Sequence, residues 1–229
     1  MAAVARYFTG DIHTFEIVFF RSLFGGIFLL PWLFKVGLGG LKTQRVGMHL
    51  VRGFTGLAVI YLLFSAVAVA TLGEVAAIMS TRPMVASLAA IIILHEAAHG
   101  RRWAATIVGF IGALLIIRPG MEEVSTGALY AFAAVILMAA LTIIMKSLAR
   151  TEKPDTIVVW QMMVFTPSAL IPAILVWKTP DLWQFLLLAS TGLFGTMTQR
   201  CLTRAYAAAD ATVIMPFDFT RLIFSALLG

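Results

Sequence analysis

The chain has 229 residues, of which 61% are hydrophobic and only 12% charged. A soluble domain of this length does not carry so much apolar surface, so the class is polytopic membrane protein; apolar runs that are continuous rather than alternating exclude a closed barrel. The net charge of +6 would suggest nucleic acid in a soluble protein, but here the basic residues sit between apolar runs, where they orient helices and meet anionic headgroups.

In chain order, Met1 to Thr14 reads as a loop with the tail of a helix at Ala2–Phe8, and no basic n-region with an apolar core marks a cleavable signal peptide. Spans are predicted at Phe15–Phe34, Met48–Ala70, Gly73–Leu94, Trp103–Ile117, Gly127–Leu148, Thr156–Trp177, Trp183–Tyr206 and Ala211–Gly229. These lengths fit bilayer-crossing helices of roughly 17–25 residues, and lipid leaves the backbone no alternative to a helix. The expected fold is therefore all-α, a polytopic membrane helical bundle. Cys201 is the single cysteine and cannot form an internal disulfide.

The loops set the orientation. Lys35, Lys42 and Arg45 follow the first span, Arg101 and Arg102 the third, Lys146, Arg150 and Lys153 flank the end of the fifth, and Arg204 lies near the end of the seventh. The alternate loops hold Glu74, then Glu122 and Glu123 beside Arg118, then Asp181 beside Lys178. The first set is cytoplasmic by the positive-inside rule, and Trp103, Trp177 and Trp183 fall at span ends as interfacial anchors. The expected location is the bacterial inner membrane, multi-pass.

The chain also echoes itself. Glu74, Ile78-Met79 and Arg82 map onto Asp210, Ile214-Met215 and Asp218 at one offset of 136 residues, and Ile17–Arg21 resembles Ile157–Gln161 at an offset of 140. Five helix passages, an odd number, separate Arg82 from Asp218, so the second copy is inverted relative to the first. Inverted repeats are a hallmark of secondary transporters, whose sites lie near the midplane where the copies meet. Gly53/Gly56, Gly109/Gly112 and Gly192/Gly195 supply small-residue faces on which helices approach closely.

Together these stretches resemble the drug/metabolite transporter superfamily, specifically its EamA-type proteins. The resemblance is carried by FFRSLFGGIFLLPWLF (Phe19–Phe34), by the Pro83 helix ending in Leu94-His95-Glu96, and by RRWAATIVGFIGALLIIRPG (Arg101–Gly120). It implies ten helices in two inverted five-helix units, of which about eight are present: residues 1–120 as a first repeat whose first helix is missing or a stub, and 121–229 as a second repeat truncated within its fourth helix. It also implies that Glu96 closes the fourth helix of the first unit, where the family commonly has a Gly-Glu pair. A truncated, non-transporting remnant, or a subunit that assembles with another chain, is the alternative reading that the ends raise.

Charges within spans are expensive and mark functional positions. Arg82 and Asp218, at corresponding midpoints of related helices, are the first candidates to line a polar cavity. Arg21, Gln161, Gln199 and Arg200 are candidates for its wall, and Arg221, one turn from Asp218, is a local partner that would leave Arg82 free for an anionic group. Arg52 and Arg204 are read as snorkelling to headgroups. Pro83 and Pro216 are expected to kink helices and serve as gates, and Pro167 and Pro172 to bend theirs. His95-Glu96-Ala97-Ala98-His99 matches the zinc-protease pattern His-Glu-x-x-His, the rival reading being an intramembrane metalloprotease. His13 on the opposite side and His49 in a cytoplasmic loop supply no third ligand, so no metal is expected.

The resulting expectation is a secondary transporter moving a small organic metabolite or drug by alternating access, not an enzyme, with no cofactor. Its partners would be that small-molecule substrate and membrane lipids, with proton or ion coupling and Asp218 as the proton-carrier candidate. A homo-oligomer is compatible with this reading. Amino acids, nucleoside-like metabolites and vitamins all fit it as cargo.

Overall fold

The computed structural model describes residues 12–96, 100, 103–104, 106–108, 110–111 and 125–220. Most of the predicted fourth span, the loop charges Arg101, Arg102, Arg118, Glu122 and Glu123, His99, and Arg221 lie outside the described residues. Among those described there are helices and no strands. They are α1 (Thr14–Val36), a 3₁₀ turn (Leu38–Leu41), α2 (Val46–Val69), α3 (Leu72–Met79), α4 (Arg82–Leu94), α5 (Thr126–Ala149), α6 (Pro154–Leu175), α7 (Leu182–Ala208), α8 (Ala211–Ile214) and a second 3₁₀ segment (Met215–Phe219). Among the described residues five stretches are long and apolar enough to cross a membrane: Phe15–Val36, Val46–Val69, Gly73–Leu94, Thr126–Ala149 and Pro154–Leu175. α7 is a long helix where a span was predicted, but its hydroxyls, Gln199, Arg200 and Arg204 keep it below that apolarity.

The chain packs as two compact units, Met1–Phe54 with Leu148–Ala207, and Thr55–Ser147 with Ala208–Gly229. Each draws helices from both halves of the sequence.

In the first unit α1 lies along α6. Phe19 and Phe20 of α1, Ala169 and Ala173 of α6 and Leu188 of α7 share one core. α1 starts in a capping box: His13 accepts from the Phe15 amide, while the Glu16 carboxylate accepts from the His13 amide at 3.2 Å and from the Lys178 amide at 2.6 Å. Glu16 is fully buried, its charge held by two backbone donors. After Gly37, whose φ of 70° ends α1 in the left-handed region, the 3₁₀ turn is tied to α6: Thr156 Oγ1 donates to Gly40 O and Trp160 Nε1 to Leu41 O. α1 and α7 touch backbone to backbone. A Cβ on Gly192 would stand 2.6 Å from Phe24 Cβ and 3.1 Å from both Arg21 O and Gly25 N, an approach that small residues permit.

In the second unit Ala66 of α2, Val75 of α3 and Ala131 of α5 meet. α5 buries Ala128, Ala131, Ala134, Val135 and Ala139 and exposes Leu129, Phe132 and Ile136. Small residues face protein and large apolar ones face outward, the pattern expected where the surroundings are lipid. Ser125 caps α5 by accepting from the Ala128 amide, and its hydroxyl donates to Glu74 at 2.9 Å.

The predicted Gly73–Leu94 span is two half-helices. The ladder breaks at Ser80-Thr81, where Ser80 Oγ donates to Ala77 O and Thr81 Oγ1 to Ile78 O, both at 2.6 Å. Hydroxyls thus serve carbonyls that lipid could not. Pro83 lies in the first turn of α4, where its missing N–H costs no helix bond, so the expected kink takes the form of a break just upstream. Pro216 likewise sits in the first turn of its 3₁₀ segment, and Pro167 and Pro172 lie inside a continuous α6.

Candidate substrate site

The break in the Gly73–Leu94 span and the α8–3₁₀ segment bring the two leading charges together. Arg82 Nη1 lies 3.4 Å from Asp218 Oδ2, with side chains 20% and 34% exposed. Both line a cleft of about 130 Å³ together with Ala76, Met79, Ser80, Pro83 and Phe219. The contact is single and longer than the 2.7–2.9 Å of a tight charge-assisted bond, and Arg82 Nε is buried without a hydrogen-bond partner, as is Ser87 Oγ on the same helix. A guanidinium held this loosely retains donors for a second acceptor. The cleft is smaller than the roughly 300–1,000 Å³ that encloses a drug-sized ligand, so it accommodates one functional group rather than a whole metabolite.

The other predicted residues fall elsewhere. Gln161 Oε1 accepts from Arg52 Nη2 at 2.9 Å, and Arg52 Nη1 donates to Ile157 O at 3.4 Å. Arg52 is 4% exposed, so it does not snorkel. Sequence held the clue: His49, Arg52, Gly53, Gly56 and Val59 are all buried at helical spacing, which puts Arg52 on the face that packs. His49 is not in a loop either. It sits in the first turn of α2, buried and stacked on Trp160 at 5.3 Å. Arg200 Nε donates to Asp155 Oδ1 at 2.6 Å, and Arg204, 60% exposed, reaches Asp155 Oδ2 at 3.3 Å. Arg21 on α1 and Gln199 on α7 make no side-chain hydrogen bond or ion pair among the described residues. Arg221 lies outside them.

Glu96 has a task that sequence reasoning missed. α4 ends at Leu94, and His95 adopts the left-handed conformation, φ 54° and ψ 36°. Glu96 is 7% exposed, and its two carboxylate oxygens accept from the Ala211 and Thr212 amides, each at 2.9 Å. A metalloprotease would need His95 and Glu96 on a continuing helix with the carboxylate turned to a water; here the helix has stopped and the carboxylate is engaged by backbone.

The EamA-like transporter family model matches residues 1–118 and 125–229. The riboflavin transporter of Vibrio cholerae is 32% identical over 208 residues, 89% of this chain and 69% of that protein. The S-adenosylmethionine uptake transporter of Rickettsia felis is 31% identical over 231 residues, 98% of this chain and 76% of that protein. A solved crystal structure matches in fold with a TM-score of 0.82 at 17% identity, over 99% of this chain and 81% of that one. A polytopic, all-helical protein of the bacterial inner membrane, the chain belongs to the EamA-like transporter family.

Proposed function

We propose that the protein is a secondary transporter that moves a small organic metabolite by alternating access, with the Arg82–Asp218 pair as its polar contact to the cargo. The observation that carries this is the pair itself: two charges at a helix break, joined by one long contact and bordering a cleft sized for a single polar group. Arg82 takes an anionic or electronegative group of the solute, and Asp218, released from Arg82, is the candidate proton carrier. The two-repeat organisation, 1–120 and 121–229 with opposite orientation, is supported by the separate family matches on either side of residue 120 and by the odd number of passages between equivalent charges. The driving force is an ion gradient or the solute's own gradient.

The test is uptake into proteoliposomes with a panel of vitamins, nucleoside-like metabolites and amino acids that includes riboflavin and S-adenosylmethionine. For the cargo that is moved, Arg82→Ala is expected to lower transport about 10- to 100-fold, the loss of a hydrogen bond to a charged group, and Arg82→Lys to retain part of it. Equal transport by wild type and Arg82→Ala would remove Arg82 from the mechanism.

A further inference from the structure

We infer that Glu96 is the positioning residue of the Arg82–Asp218 pair: by gripping the backbone at Ala211 and Thr212 it sets the register at which Asp218 faces Arg82. The inference rests on the reading of that pair as the contact to cargo.

The segment that carries Asp218 is anchored by side chains from other helices. α8 runs without a gap into the 3₁₀ segment, from Ala211 to Phe219, and just before it Ala209 O accepts from Lys146 Nζ of α5. Its first amides are orphan donors, and the residue that should cap them, Asp210, makes no side-chain capping bond. Ala211 and Thr212 are both buried, so water does not serve their amides. Both are served by one side chain from another helix, with one carboxylate oxygen on each.

Glu96 can do this because of how α4 ends. The left-handed His95 reverses the chain, the Glu96 amide returns to Ala90 O at 3.4 Å, and the carboxylate is directed away from its own helix. α4 is therefore joined to the Asp218 segment at two places, through Arg82 at its start and through Glu96 just past its end. Each residue of an α-helix turns the chain by about 100°, and of a 3₁₀ helix by about 120°. A one-residue slip at Ala211 would consequently swing the Asp218 carboxylate away from Arg82 altogether. Glu96 thus acts at a distance from any cargo, through the backbone it holds.

The experiment compares turnover in proteoliposomes for Glu96→Gln, Glu96→Asp, Asp218→Asn and the Glu96→Gln/Asp218→Asn double variant. Glu96→Gln keeps the size of the side chain but offers one acceptor in place of two. It is expected to lower turnover about fivefold in the wild-type background and to have no further effect once Asp218→Asn is present. Glu96→Asp is expected to fall between wild type and Glu96→Gln. The same fold-loss from Glu96→Gln in both backgrounds would overturn the inference, since a residue that only stabilises the fold acts regardless of Asp218. A second readout is the thiol labelling rate of Ala211→Cys in a Cys201→Ser background. It is expected to be slow with Glu96 present and about tenfold faster with Glu96→Gln, as a buried amide pair loses one of its two acceptors; an unchanged rate would also overturn the inference. Wild-type transport by Arg82→Ala and Asp218→Asn, combined with faster labelling, would instead refute the cargo site while leaving the grip of Glu96 on Ala211 intact.

Discussion

Arg52 and Gln161 are joined by a 2.9 Å hydrogen bond between α2 and α6, and the arginine is buried. The pair is worth most as an avoided penalty. Gln161→Leu leaves a buried guanidinium with one carbonyl contact at 3.4 Å, and should lower stability by about 1.5–3 kcal/mol. Replacing both, Arg52→Met with Gln161→Leu, should recover most of that loss, because no polar group is then left unserved. Thermal unfolding in detergent of the two singles and the double reads this directly.

Two glycines should respond differently to the same methyl group. A Cβ on Gly53 would meet the Val164 side chain at 2.2 Å, whereas on Gly192 it would meet backbone atoms of α1 at 3.1 Å as well as Phe24 Cβ at 2.6 Å. Both Gly→Ala changes are expected to cost about 1–3 kcal/mol by overpacking. Val164→Ala removes the Cγ1 contact but keeps Val164 Cβ at 2.9 Å and should recover only part of the Gly53→Ala loss, while Phe24→Ala should recover none of the Gly192→Ala loss, because the 2.6 Å obstacle is the Cβ that alanine keeps and the others are main chain. Melting temperatures of the four variants decide it.

His95 is a non-glycine residue at φ 54°. A side chain in the left-handed region costs about 1–2 kcal/mol, and this is a helix C-terminus where glycine is the usual solution. His95→Gly should therefore raise stability by about 1 kcal/mol, with transport unchanged. A lowered melting temperature would mean that the His95 imidazole supplies more than its backbone costs.

The Asp155 cluster should be unequal. Arg204 is largely exposed and 3.3 Å from the carboxylate, whereas Arg200 makes a 2.6 Å bond and is half as exposed. Arg204→Ala should cost under about 0.5 kcal/mol, within the range of surface ion pairs, and Arg200→Ala about 1 kcal/mol. Double-mutant cycles with Asp155→Asn separate the two couplings.

The spans were legible because hydropathy over some twenty residues integrates many weak preferences; α1, α2, α5 and α6 lie where their apolar runs predicted. The offset of 136 residues paired Arg82 with Asp218, and the two are in contact. What sequence did not reveal were matters of partner and backbone. Pro83 announced a disturbance, but the break belongs to Ser80 and Thr81, whose hydroxyls could equally have bonded within an unbroken turn. Distance to the span end makes Arg52 an edge residue, whereas the face it shares with Gly53 and Gly56 decides its burial. Sequence puts Glu96 at a helix end, yet nothing local could say that the donors to its carboxylate are amides 115 and 116 residues away.

The hydroxyl-rich, charged α7 bears on how the protein is made. A segment of that polarity partitions poorly from the insertion machinery into lipid by itself. Its neighbour α6 is apolar enough and begins with the very acid that neutralises Arg200. The expected consequence is that α6 and α7 insert together as a hairpin with the charge already matched, so that Asp155→Asn lowers insertion of α7 while sparing α6.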